Sequence, residues 1–167
     1  MDMAELTLSA LGRSAKEVTI AAIQGVGETA GAVVKTTMDL LATTVKGAGD
    51  VTEATTESAS KVVRGALGAA SEIGEDVLET LHSAVKGTIK GAADVGADLG
   101  KVSVSAVEGG LKAAGDIGAD ASSALSHAVT GAIEAADEIG SEAGKTVRDA
   151  LVGSVKGAKD VITEPFK

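Results

Sequence analysis

The residues best placed to do chemistry are carboxylates. Glu72 and Asp76, Asp94 and Asp98, Asp116 and Asp120, Glu138 and Glu142, and Asp160 and Glu164 form five pairs, each spaced i,i+4. On a helix the two acids of such a pair lie on one face. Contributed by two facing helices, they would supply the oxygen ligands of a Ca²⁺ site or part of a di-metal bundle site. The bundle chemistry also asks for Glu-x-x-His motifs. The two histidines, His82 and His127, read instead as surface residues. The plainer reading of the ladder is a solvated polar face, with Lys90 and Lys112 at helical spacing for weak ion pairs. No metal ligand and no cofactor-binding residue is assigned. The stretch GVGETAG (25–31) has the composition of a phosphate-binding loop, but it lacks the preceding strand and the Lys-Ser/Thr that would follow. No Ser, His and Asp set recurs, so no catalytic residue is assigned and the expected protein is not an enzyme.

The elements that carry these acids repeat. Cut every 22 residues from Glu17, the chain gives seven units starting at Glu17, Asp39, Lys61, Ser83, Ser105, His127 and Asp149. Position 7 of the units is always aliphatic: Ile23, Val45, Leu67, Ile89, Leu111, Ile133 and Val155. Position 12 is always acidic, and position 10 is alanine in every unit after the first. Position 13 is Thr29 and then Val51, Ile73, Val95, Ile117, Ile139 and Val161. Such a repeat is the dominant architectural signal in a sequence. Twenty-two residues is two elevens, and eleven residues close three helical turns, so an apolar stripe with this period stays on one face of a nearly straight helix. Positions 7 and 13 belong to that stripe. The phase runs through unit boundaries without a slip, which favours long continuous helices.

Glycine, 22 residues of the 167, falls in columns. Position 5 holds Gly65, Gly87, Gly109, Gly131 and Gly153, and position 14 holds Gly74, Gly96, Gly118 and Gly140. A third column, position 9, holds Gly25, Gly47, Gly91 and Gly157. Inside a helix each glycine costs about 1 kcal/mol relative to alanine, so the helices must be held by something outside themselves. Two readings compete. The glycines are notches that let a second backbone approach closely, or those at position 14 are helix C-caps with G-A-D, G-S-E and G-E-D as turns. The unbroken apolar phase favours notches, and both columns are taken as close-contact glycines.

Composition narrows the function classes. The chain has one Phe and no Trp or Tyr, so no aromatic platform exists for nucleic-acid bases. Its net charge is −9, with acids spread throughout, which opposes binding to phosphate backbones. Low complexity alone would suggest disorder, but a chain that is 44% hydrophobic is too apolar for that. The first residues, MDMAELTLSALGRSAKE, lack the basic and apolar regions of a secretory signal. A cytoplasmic location is the default expectation, with export by a non-classical route left open.

The stretch TTVKGAGDVTEATTESASKVV (43–63), with its 11/22-residue period and abundant Ala, Val, Thr, Gly and Lys, resembles the repeat amphipathic helices of apolipoproteins, synucleins, perilipins and late-embryogenesis-abundant proteins. The resemblance extends over residues 17–162 in period and composition. It implies a stripe that binds lipid or another apolar surface. The chain departs from those proteins in having Gly and Ala where they carry boundary lysines, no Pro inside the array and no aromatic anchors.

The fold expected is therefore all-α: long amphipathic helices of seven 22-residue repeats, folded back into a hairpin or elongated bundle. Residues 1–16 form an N-terminal cap, 17–162 the array and 163–167 a C-terminal tail. The expected function is that of a structural protein that associates with itself into an oligomer, filament or layer. The alternative is a lipid- or granule-coating protein of apolipoprotein type.

Overall fold

A computed structural model describes residues 16, 17, 20, 29–46 and 51–163. From Thr29 onward the described residues hold seven α-helices and no strand: α1 (Thr29–Lys46), α2 (Val51–Ile73), α3 (Val77–Asp94), α4 (Leu99–Ile117), α5 (Ala121–Ile139), α6 (Ser141–Ser154) and α7 (Ala158–Thr163). The helices are not continuous across units. Those starting at Leu99 and Ala121 each begin 22 residues after the previous start, at Val77 and Leu99. The unbroken phase is compatible with this, because a chain that stops and restarts once per period keeps the same register as one that never stops.

Local chemistry explains where each helix stops. Gly74, Gly96 and Gly118 have φ of 78°, 71° and 96°, the left-handed region that side chains with a Cβ avoid. Around them the amides of Glu75, Ala97 and Ala119 donate back to the carbonyls of Ala70, Ala92 and Ala114, each at 2.9 Å. This is the Schellman closure of a helix C-terminus, and its acceptors are the alanines of position 10. Two residues after the glycine an aspartate starts the next helix. Asp76 accepts from the amides of Leu78 and Glu79, Asp98 from Lys101 and Asp120 from Ser123, satisfying amides that have no helical partner.

The helices form two rows. α1 to α4 each pack more extensively on the helix two places further along the chain than on the next one, and α7 more on α5 than on α6, so α1, α3, α5 and α7 make one row and α2, α4 and α6 the other. Within a row the helices run parallel. Thr56 and Ser60 of α2 meet Ser105 and Gly109 of α4 in the same order along both helices. Between rows they run antiparallel: Leu81, near the start of α3, lies against Gly110, near the end of α4. The core between the rows is aliphatic, with Leu41, Leu67, Leu81, Ile89 and Leu151 fully buried and alanine filling the space between them. Among the described residues no helix is long and apolar enough to cross a membrane.

Candidate functional site: the outer faces of the two rows

Building the faces starts with the glycines, because they set how closely the helices of a row approach. A Cβ on Gly87 would strike Thr37 and the Val34 carbonyl, one on Gly109 would strike Ser60, and one on Gly131 would strike the His82 carbonyl. A Cβ on Gly91 would come within 2.7 Å of the Met38 carbonyl oxygen. These glycines are notches, and the backbone they admit is that of the helix two places earlier. Gly65 is buried in α2. Gly153 is exposed, with open space where a Cβ would go. The position-14 glycines correct the sequence expectation. Gly74, Gly96, Gly118 and Gly140 lie outside the helices with nothing within 4 Å of an added Cβ, so they shape turns and are not close-contact residues. Their cost inside a helix therefore does not arise.

The stripe turns inward unevenly. Leu67 and Ile89 are fully buried and Val155 nearly so, while Leu111 and Ile133 are half-buried. Position 13 sits at helix ends. Ile73, Val95 and Val161 are half-buried there, and Ile117 and Ile139 are 38% and 41% exposed. Ile23 lies outside the described residues, as do the side chain of Val45 and the first half of the glycine-rich stretch at 25–31.

The carboxylate pairs divide into two jobs. Asp76, Asp98 and Asp120 cap helices, as above, while Glu142 sits in the first turn of α6 without capping it; the Ser123 amide and hydroxyl hold the Asp120 carboxyl below its usual value. Glu72, Asp94, Asp116 and Glu138, at position 12, stand at helix C-termini, where the backbone dipole disfavours an anion, whereas Asp160 lies in the first turn of α7; Glu72 and Glu138 have cationic partners brought from elsewhere in the chain. Glu72 meets Lys16 at 2.7 Å. Glu138 on α5 meets Lys86 at 3.0 Å and Lys90 at 2.5 Å, both on α3. The hydrogen bonds from Lys90 and Lys86 hold the Glu138 carboxyl below the ordinary range. One turn away, His82 Nε2 lies 2.7 Å from Glu134. His127 places Nδ1 2.8 Å from the Ser123 carbonyl in its own helix.

A Glu-x-x-His spacing does occur, Glu79 to His82. His82 is engaged by Glu134, however, and among the described residues no group of three or more His, Cys, Asp or Glu side chains is placed to hold a metal ion.

The ladder between α3 and α5, within one row, had a signal in the sequence that position columns hide. Parallel helices two places apart are offset by two repeats plus about one turn. Opposite charges that far apart, such as Lys86 with Glu134 and Lys90 with Glu138, are neighbours in space. A second clamp joins adjacent helices. Arg148 of α6 grips Asp137 of α5 with two bonds of 2.7 and 2.8 Å, the bidentate geometry that guanidinium favours. It lowers the Asp137 pKa and raises that of Arg148.

Each row carries a groove on its surface. The one on α1 and α3, about 520 Å³, includes Lys35, Met38, His82 and Lys86 and reaches His127 of α5. The larger, about 780 Å³, crosses α2, α4 and α6. Its small residues include Ser60, Gly100 and Ala150, and its cations are Arg64, Lys101 and Lys112. None of those three forms an ion pair among the described residues. Sequence columns gave no hint of this groove, because its walls come from three helices.

Comparison of the chain with family models, curated proteins and solved structures finds no match in any of the three.

Proposed function

We propose that the chain is a non-enzymatic structural protein whose seven 22-residue repeats build an elongated helical bundle, and that it self-associates into an oligomer, filament or layer. The observation that carries this reading is the recurring contact of one helix with the helix two places before it, through a glycine at the same repeat position in Gly87, Gly109 and Gly131. A stack built by one repeated rule is a stiff, quasi-one-dimensional object, and copies of such an object offer one another repeated surfaces. The inward burial of Leu67 and Ile89 supports a scaffold over a lipid coat, because a coat would have to open the stack to present its stripe.

Light scattering on the full chain, with circular dichroism in buffer and with phospholipid vesicles, tests the reading. The expected result is helix without lipid and particles larger than one 16.3 kDa chain whose mass rises with concentration. A single chain at every concentration would overturn it. Helix that forms only with vesicles would replace it with the lipid-coat reading.

A further inference from the structure

We propose that the Arg148–Asp137 clamp is a latch: it holds α6 off the seat that its own repeat prescribes, and its release lets α6 roll onto α4 and close the groove across α2, α4 and α6. The prescribed seat is set by the earlier helices. Gly109 faces Ser60 and Gly131 faces His82, at the same separation of 49 residues over which the Ser105 hydroxyl donates to the Thr56 carbonyl. By that rule Gly153 belongs on Val104. Instead Gly153 is exposed, with nothing within 4 Å of an added Cβ, and Val104 lines the open groove, half-buried. Val147 and Leu151 of α6 are already buried. They hold the repeat places of Ser103 and Val107, which are buried on the regularly seated α4, so a roll into that seat keeps them covered.

What keeps α6 out of that seat is peculiar to its unit. At the places of Asp137 and Arg148 the three preceding units carry Ser71 with His82, Ala93 with Val104, and Gly115 with Ser126, none of which is an ion pair. Ser60 and His82, at the repeat place of Arg148, face the next helix of their own row. Arg148 is turned instead onto α5, in the other row, and grips Asp137 with two nitrogens. The clamp and the regular seat therefore exclude one another. Gly144 makes room for the clamp: a Cβ there would strike the Asp137 carboxylate and lie 2.9 Å from an Arg148 nitrogen. Both partners are exposed, so the hold is modest, and a change of charge at either side chain releases it. The open groove is one of two states of a single chain, whose populations the clamp sets. This holds whether or not copies associate.

Cysteine pairs test the latch in a chain that has no cysteine of its own. Gly100→Cys with Ala150→Cys marks the present seat, because a Cβ on Gly100 would lie 3.2 Å from that of Ala150, near the span of a disulfide. Val104→Cys with Gly153→Cys marks the closed seat, since a Cβ on the equivalent Gly109 would lie 3.0 Å from that of Ser60. Each pair is oxidised with diamide with the clamp intact, with Arg148→Met and with Asp137→Asn. Only bridges within one 16.3 kDa chain are counted. The expected result is that loss of the clamp speeds the 104–153 bridge about threefold or more and slows the 100–150 bridge. Lys86→Met, which removes an ion pair of the α3–α5 ladder, leaves both rates unchanged. A single Val104→Cys gives a second readout: its labelling by iodoacetamide slows about twofold when the clamp is lost, because closure covers it. Equal 104–153 rates with and without the clamp overturn the latch, as does the same gain from Lys86→Met. So does the absence of that bridge in a variant that circular dichroism shows to be helical. Where the paired variant is not helical, the single cysteine decides, and labelling that ignores the clamp overturns the proposal.

Discussion

The turn from α4 to α5 and the turn from α5 to α6 come from the same repeat position, yet they build different joints. In the first, Gly118 is left-handed, Ala119 bridges, and Asp120 caps α5 with its carboxylate. In the second, Gly140 is extended at φ 159° and ψ 167°, and α6 starts at once at Ser141 with no side-chain cap. The residue in the capping place is Glu142, whose longer arm does not suit the short reach from an N-cap to the amides of N2 and N3. By starting early, α6 meets α4 on a different face. It packs through Thr146 and Ala150 against Gly100, and leaves Gly153, the repeat's notch glycine, in the open. Val152 beside it is 44% exposed. The Arg148–Asp137 clamp then holds α6 on α5. One methylene in the sequence thus accompanies a changed joint, a rotated helix and the wide groove beside it.

The sharpest way to break this contrast is to add a methyl group to both notch glycines. Gly131→Ala drives a Cβ into the His82 backbone carbonyl, which cannot swing aside as a side chain would, so the expected cost is about 2–3 kcal/mol as for overpacking. Gly153→Ala meets nothing and should stabilise by about 0.5 kcal/mol through helix propensity. Urea unfolding of the two variants reads the difference, and similar losses from both would show that α6 is seated like α5.

A smaller effect is expected from exchanging the capping residues. Asp120→Glu should lose about 1 kcal/mol with the α5 cap. Glu142→Asp should gain a comparable cap and move the start of α6 toward residue 143, detectable as lost amide-exchange protection at the first turn. If Glu142→Asp leaves that protection unchanged, packing of α6 and not the cap sets its start.

The smallest effect is electrostatic. Asp137 and Glu138 are held below their ordinary values by Arg148 and by Lys90 with Lys86. A depressed folded pKa means stability present above the unfolded value and lost as pH falls through the folded one. Stability should therefore decline below about pH 4.5, near the unperturbed carboxylate range. Because these groups are exposed, Asp137→Asn should remove only a few tenths of a kcal/mol of that decline. A pH profile of the unfolding midpoint that Asp137→Asn leaves unaltered would place the clamp among ion pairs of no net worth.

Much of the fold is legible in the residues. The aliphatic columns at positions 7 and 13 give helices, and Gly118 followed by Ala119 and Asp120 carries a helix stop and a helix start in three letters. Reading position 14 as notches went astray because the apolar phase cannot tell a continuing helix from one that reverses once per period. The local chemistry of Gly-x-Asp could, since both the left-handed glycine and the capping carboxylate are short-range effects. The groove and the Lys86–Glu138 pairing were not legible in the columns. They depend on the offset between parallel helices, which backbone approach at Gly131 and its equivalents sets.

By itself, then, the sequence determined what is local: helix periodicity, the turn after each Ala-rich segment, and an acidic surface without aromatic anchors. These follow from side-chain spacing and from φ preferences that act within a few residues. Only the tertiary structure decided that each helix rests on the one two places earlier, that position-12 acids such as Glu138 find their lysines across that contact, and that α6 is rotated out of the pattern. Those outcomes depend on which surfaces fit when distant segments meet, and the spacing that joins Lys90 to Glu138 can be read only once the offset between parallel helices is known.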